Sequence, residues 1–142
     1  MLKIESETIT FPRRLVDRVT TRAIIIHHTA GSDMTVTDMH AMHIRRGLGG
    51  IAYHYLIRPD GTIYAGRPLQ AHGAHARNNN HNSIGIALSG NFELSRPAAR
   101  QMSALRNLIR HIRAQHPHWE ELLVIRHKDI AATLCPGRFF RW

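Results

Sequence analysis

A neutral imidazole and a thiolate are good ligands for a borderline-soft cation such as zinc. The stretch Val124–Gly137 offers both: His127 closes a short apolar run, and Cys135 follows eight positions later. That interval is enough for a loop to double back and bring the two side chains to one point. A third ligand is available at the end of another apolar run, Ala23-Ile24-Ile25-Ile26, which leads into His27 and His28. Adjacent residues on a strand point to opposite faces, so only one of this pair can meet His127 and Cys135. His27 is the better candidate, and His28 then belongs to the core or to the surroundings of the ligands. Three protein ligands with a fourth position open describe a catalytic zinc, one ion per chain, as opposed to a structural one.

Other side chains can reach the same cleft. Alternation separates Tyr53 from His54, so one of them faces the site. A tyrosine hydroxyl near the cation can donate to a developing oxyanion or hold the attacking water. Thr133 lies two residues before Cys135 and can donate to a substrate carbonyl. Three further histidine pairs, His40/His43, His72/His75 and His116/His118, have no thiolate or carboxylate at a persuasive distance. No H-E-x-x-H motif occurs, which excludes the helical zinc-protease arrangement.

The elements that must position these groups follow from pattern. Thr21–His28 is β-branched and reads as a buried strand. A helix is predicted over Val36–Arg46, capped by Thr35 or Thr37 and stopped at Gly47. Ile51–Ile57 and Thr62–Ala65 flank the turn Arg58-Pro59-Asp60-Gly61 and read as an antiparallel pair. Residues 66–82 form a long polar loop, and a loop of that length is functional or disordered. Ser83–Leu88 alternates isoleucine and leucine with small residues. The clearest helix follows Ser95, with Pro97 in its first turn and Met102, Leu105, Leu108, Ile109 and Ile112 in one stripe. It ends near Gln115, ahead of Pro117. Leu122–Arg126 is the last strand. A short strand is also expected near Glu7–Phe11. The order implies a single α/β domain with a mixed sheet of about five strands and helices on both faces. Residues 1–20 read as a lead-in and 21–142 as the domain.

The totals narrow the function. One domain is the expectation for 142 residues. A single cysteine forbids an internal disulfide and leaves a free thiol or a metal ligand. Nineteen basic against ten acidic residues give a net charge of +9, which draws the surface to polyanions such as an anionic bacterial envelope. No basic helix or aromatic stacking motif supports nucleic acid as the main partner. Apolar runs are far shorter than the ~18 residues of a membrane span. The N-terminus has no apolar signal core, so synthesis in the cytosol is expected.

An ordered set of motifs ties these features together. It runs through Ile25-Ile26-His27-His28-Thr29-Ala30, Met42–Gly47, Ala52-Tyr53-His54-Tyr55-Leu56-Ile57 and Asp60–Arg67. It continues through Gly73-Ala74-His75-Ala76, His81–Ile86, Gly90-Asn91-Phe92, Arg126-His127-Lys128-Asp129 and Cys135-Pro136-Gly137. In this set the chain resembles the type 2 N-acetylmuramoyl-L-alanine amidases, which include small phage lysozymes and the animal peptidoglycan recognition proteins. The resemblance implies zinc held by His27, His127 and Cys135, a catalytic role for Tyr53, and Thr133 assisting by hydrogen bonding. It implies that His43, Arg46, Arg67 and His75 line the groove for a muramyl peptide. Where the family often has tryptophan near the first helix, this chain has Met42 and Leu48. The activity implied is hydrolysis of the amide between N-acetylmuramic acid and the L-alanine of peptidoglycan. A phage or prophage endolysin, released to the wall through a membrane pore, fits a cytosolic start. The alternatives are a bacterial muropeptide-recycling amidase and a peptidoglycan-binding module without activity. Such non-cutting relatives typically lack the cysteine, which is present here.

Overall fold

The computed structural model covers residues 1–142. Five strands form one mixed sheet: β1 (Ala23–His28), β2 (Tyr55–Ile57), β3 (Ile63–Ala65), β4 (Ser83–Leu88) and β5 (Leu123–Arg126). Their spatial order is β3-β2-β4-β1-β5. Strands β2, β4, β1 and β5 run parallel, and β3 pairs antiparallel with β2 at the edge. Two helices flank the sheet, α1 (Val36–Arg45) and α2 (Ala99–Arg113). No helix is long and apolar enough to cross a membrane.

Each face of the sheet has its own core because strand side chains alternate. Ile24 and Ile26 of β1, Ile84, Ile86 and Leu88 of β4, and Ile57 of β2 face α2, which answers with Met102, Leu105, Leu108, Ile109 and Ile112. On the other face Leu56 and Ala87 pack with Val36 and Met39 of α1 and with Ile51. Ile25 meets Ala76 of the long loop on that same side. Both central strands are buried along their whole length, as parallel strands covered on two sides must be.

Local chemistry sets the helix ends. Thr35 caps α1 by accepting the Asp38 N–H at 3.1 Å, and Gly47 leaves the helix at φ 80°. α2 begins later than its sequence suggests. Ser95 does not cap it and Pro97 lies outside it; Ala98 holds the capping position, and the Gln101 side chain reaches back to its N–H at 3.1 Å. Gln101 also donates to the Ser89 and Ile57 carbonyls, so this buried amide ties the helix start to the sheet. The second strand is shorter than the apolar run Ile51–Ile57. The Ile51 and Ala52 N–H groups are taken by the imidazoles of His40 and His43, at 2.9 Å each, so the ladder begins only at Tyr55. No strand forms at residues 7–11; the lead-in makes single bridges from Glu5 to Tyr64 of β3 and from Asp17 to Ala71 of the long loop.

The α2 stripe carries much of the packing. Leu108 is fully buried, and Leu108→Ala is expected to lower the unfolding free energy by about 2–5 kcal/mol, the usual range for a large-to-small core change. Arg106→Ala, on the exposed side of the same helix, should stay within about 0.5 kcal/mol of the parent. Denaturant titration measures both, and equal effects would refute the assigned face.

Candidate metal centre

The site sits at the carboxyl ends of parallel strands, where open α/β sheets bind ligands. β1 and β5 pair with Ile26 opposite Arg126. The next residue on each chain is a histidine, so His27 and His127 leave the sheet side by side, with ring centroids 4.6 Å apart. After His127 the chain turns through a short 3-10 helix, His127–Asp129, fastened where Asp129 accepts from the Arg126 N–H at 2.9 Å and from its guanidinium at 2.8 Å. The loop then returns: the Lys128 N–H donates to the Cys135 carbonyl at 2.8 Å, and the Thr133 hydroxyl oxygen accepts from the Cys135 N–H at 3.2 Å. These bonds bring Cys135 Sγ to 3.5 Å from His27 Nδ1.

The ligand atoms of His27, His127 and Cys135 all lie within 4.8 Å of one another. A tetrahedral ion with N and S ligands at usual bond lengths needs an N···S edge of about 3.6 Å, close to the observed His27–Cys135 separation. The donor set fits zinc in type and spacing. Burial holds His27 well below the usual imidazole range, helped by the neighbouring His127 and His28, and burial lowers His127 as well. Both imidazoles are therefore neutral near pH 7, with lone pairs to give. Burial pushes the Cys135 thiol up to about 11, opposed by the His28 N–H and the Lys128 charge. Cation binding there must expel the thiol proton. The His28 N–H, 3.4 Å from Sγ, is in place to support the resulting thiolate.

The sequence profile of the N-acetylmuramoyl-L-alanine amidases matches residues 17–138. The chain belongs to the N-acetylmuramoyl-L-alanine amidase family. It is 35% identical over 129 residues to the endolysin of Enterobacteria phage T3, covering 84% of this chain and 83% of that one. It is 31% identical over 137 residues to peptidoglycan-recognition protein SD of Drosophila simulans, covering 89% and 74% of the two chains. Among solved structures, the N-acetylmuramoyl-L-alanine amidase LysC from Clostridium intestinale URNW superposes with a TM-score of 0.92 at 37% identity, over 99% of this chain and 92% of that one. With a phage endolysin and a solved amidase among its relatives, the chain is an enzyme, a peptidoglycan amidase.

The other residues expected in an amidase site divide into two groups. Tyr53 stands over the cluster, its ring centroid 5.2 Å from that of His27. Its backbone is pinned where its carbonyl accepts the Arg67 N–H at 2.9 Å. Burial, with the nearby Cys135, raises the phenol to about 12, so the hydroxyl keeps its proton. Tyr53, His43 and Arg46 line one cleft of about 270 Å³ with Met34, Met39, Met42 and Thr29–Ser32. Thr133 uses its oxygen on the Cys135 N–H, and its hydroxyl proton is left to donate.

Arg67 and His75 are placed differently from a groove lining. Both are buried. The Arg67 guanidinium donates to the carbonyls of Ile51, Leu48, His72 and Gly50, at 2.9, 2.9, 3.1 and 3.3 Å, and so clamps the long loop to the segment before β2. His75 sits behind His27, with Nδ1 2.8 Å from His27 Nε2. Sequence reasoning also misses Ser83 and Asn80. The Asn80 side chain accepts the His75 and Ala76 N–H groups at 2.8 and 2.9 Å and sets the loop that delivers His75. The only signal in the sequence is the small-residue pattern of β4, which leaves space behind β1.

His43 is buried with Nδ1 accepting the Ala52 N–H, so its remaining proton is on Nε2. Burial, then the Arg46 and Arg67 charges, lowers it to about 4; burial lowers His54 to about 3. Unfolded, both bind a proton at about pH 6.5. Between that pH and about 4 the unfolded chain therefore holds more protons, and stability falls as pH falls. Equilibrium unfolding across the range from about pH 7 to about pH 4.5 should show this decline, and imidazole nitrogen shifts should show both rings still neutral at about pH 5. Rings that titrate near their ordinary value in the folded protein would contradict it.

Proposed function

We propose that this chain is a zinc-dependent amidase that cuts between N-acetylmuramic acid and the L-alanine of the stem peptide. The observation that carries the reading is the convergence of two neutral imidazoles and one thiol within 4.8 Å beneath a protonated tyrosine. His27, His127 and Cys135 would hold the ion. A zinc held there supplies an activated water and Lewis-acid polarisation of the lactyl carbonyl.

The protein's own groups do the rest. The cleft beside the cluster receives the muramyl peptide, with the Arg46 cation at its rim and the His43 Nε2–H as a neutral donor. Tyr53 keeps its proton well above neutral pH, so it donates to the carbonyl oxygen as negative charge grows there. Thr133 supplies a second hydroxyl donor from the loop that carries Cys135. No carboxylate lines the cleft, so the proton for the leaving amine passes through Tyr53 or a neighbouring imidazole. Cys135 also argues for cutting over mere binding, since a receptor needs no thiolate.

Mass analysis of purified muropeptides after digestion tests this. Free stem peptides beginning at L-alanine are expected from the zinc-loaded protein, none from Cys135→Ser, and about a 10²–10³-fold lower kcat from Tyr53→Phe. Stoichiometric zinc with intact muropeptides would leave a binding module instead.

The likeness to the phage T3 endolysin supports a phage or prophage enzyme that reaches the wall through a membrane pore. Expressed alone in a bacterial cytoplasm, the protein should leave cells intact, and co-expression with a pore-forming protein should lyse them. Turnover of soluble muropeptides without lysis in either case would favour the recycling amidase.

A further inference from the structure

We infer that His75 and Ser83 are positioning residues that decide which ring nitrogen of His27 faces the cation. This rests on the zinc reading above and adds to it a device that sets the ligand's tautomer.

The His75 ring occupies a slot kept open by two glycines. A Cβ at Gly85 would lie 2.5 Å from the ring's Cγ, and one at Gly73 would collide with its Cδ2. Any larger residue at either position would evict the ring. A buried imidazole so enclosed needs partners for both nitrogens, and it has them. Nδ1 is 2.8 Å from His27 Nε2. Nε2 is 3.3 Å from Ser83 Oγ. Ser83 Oγ is in turn 2.5 Å from the Asn79 carbonyl oxygen.

The direction of every proton in this chain follows from its far end. A carbonyl only accepts, so the single hydroxyl proton of Ser83 must lie toward Asn79. The Ser83 oxygen then accepts from His75, which places the His75 proton on Nε2. A neutral imidazole has one N–H, so His75 Nδ1 is an acceptor and His27 must donate to it from Nε2. That leaves the lone pair of His27 on Nδ1, the atom 3.5 Å from Cys135 Sγ. Reversing the chain would turn the Ser83 proton toward His75. Two oxygens would then stand 2.5 Å apart with no proton between them, and His27 would present an N–H to the cation. A backbone carbonyl in the long loop therefore specifies a binding-competent ligand before any ion arrives. Ligating histidines usually hand their second proton to a carboxylate, carbonyl or water; here a second histidine takes it and passes the polarity on.

The test uses the full chain and zinc ions. Ser83→Ala and His75→Leu break the relay. His75→Asn keeps an acceptor oxygen near the place of Nδ1 and serves as the rescue. Chelator competition should show zinc bound about 10–100-fold more weakly by Ser83→Ala and His75→Leu, with most of the affinity regained by His75→Asn. Independently, long-range proton–nitrogen spectra of the zinc-free wild type should show His27 as the Nε2–H tautomer, and those of Ser83→Ala a mixture. The relay is overturned if zinc-free wild type carries the His27 proton on Nδ1, or if both broken variants bind zinc as tightly as wild type. Wild type that binds no zinc but shows the Nε2–H tautomer would sink the metal reading and keep the relay. The wild-type spectrum decides the matter even if a variant fails to fold.

Discussion

Two parallel hydrogen-bond ladders hold the reactive corner of this molecule, one on each side of β1. The ladder to β5 sets Ile26 beside Arg126, and so fixes His27 and His127 at one height. A shift of one residue would send one imidazole through to the α2 side of the sheet. The ladder to β4 sets His27 beside Ala87 and Ile25 beside Gly85, so the space next to the ligand strand is filled by the incoming loop and not by β4 itself. Burial of β1 and β4 along their whole length makes slippage costly, since every isoleucine of β1 would exchange a packed neighbour for a wrong one. A pair of ladders therefore does what a metal site most requires, which is placement to a fraction of an ångström.

Four of the protein's twelve histidines act as a backbone device. His28, His40, His43 and His54 each accept a main-chain N–H at Nδ1, from Phe92, Ile51, Ala52 and Gly85 respectively. The three N–H groups taken from Ile51, Ala52 and Gly85 lie around the start of β2, where an irregular segment would otherwise leave donors unpaired. Protonation would convert each acceptor into a donor facing a donor. Neutral imidazole is thus built into the architecture around the cleft, and the same neutrality suits groups that must present lone pairs to a cation.

Much of this is legible from residue types. The convergence of His27, His127 and Cys135 follows from one thiol and from histidines at strand ends, and β1, β4 and α1 follow from runs and caps that no tertiary contact overrides. The first residues of Ile51–Ile57 cannot be read as irregular, because their partners are side chains of α1, remote in sequence. The start of α2 escapes the pattern because its fastening comes from inside the helix, where Gln101 accepts the Ala98 N–H and donates to the Ser89 and Ile57 carbonyls. Arg67 and His75 are expected in the groove from the family resemblance; packing shows the guanidinium on backbone carbonyls and the imidazole between His27 and Ser83.

The sulfur lies 108 residues beyond the imidazole it approaches. Between them come four strands and both helices, and two of the three converging side chains follow the last strand in chain order. The chemistry is consequently a property of the finished fold alone. A chain still emerging from synthesis, or nicked and held in part, carries scattered imidazoles and a lone thiol that have not yet converged.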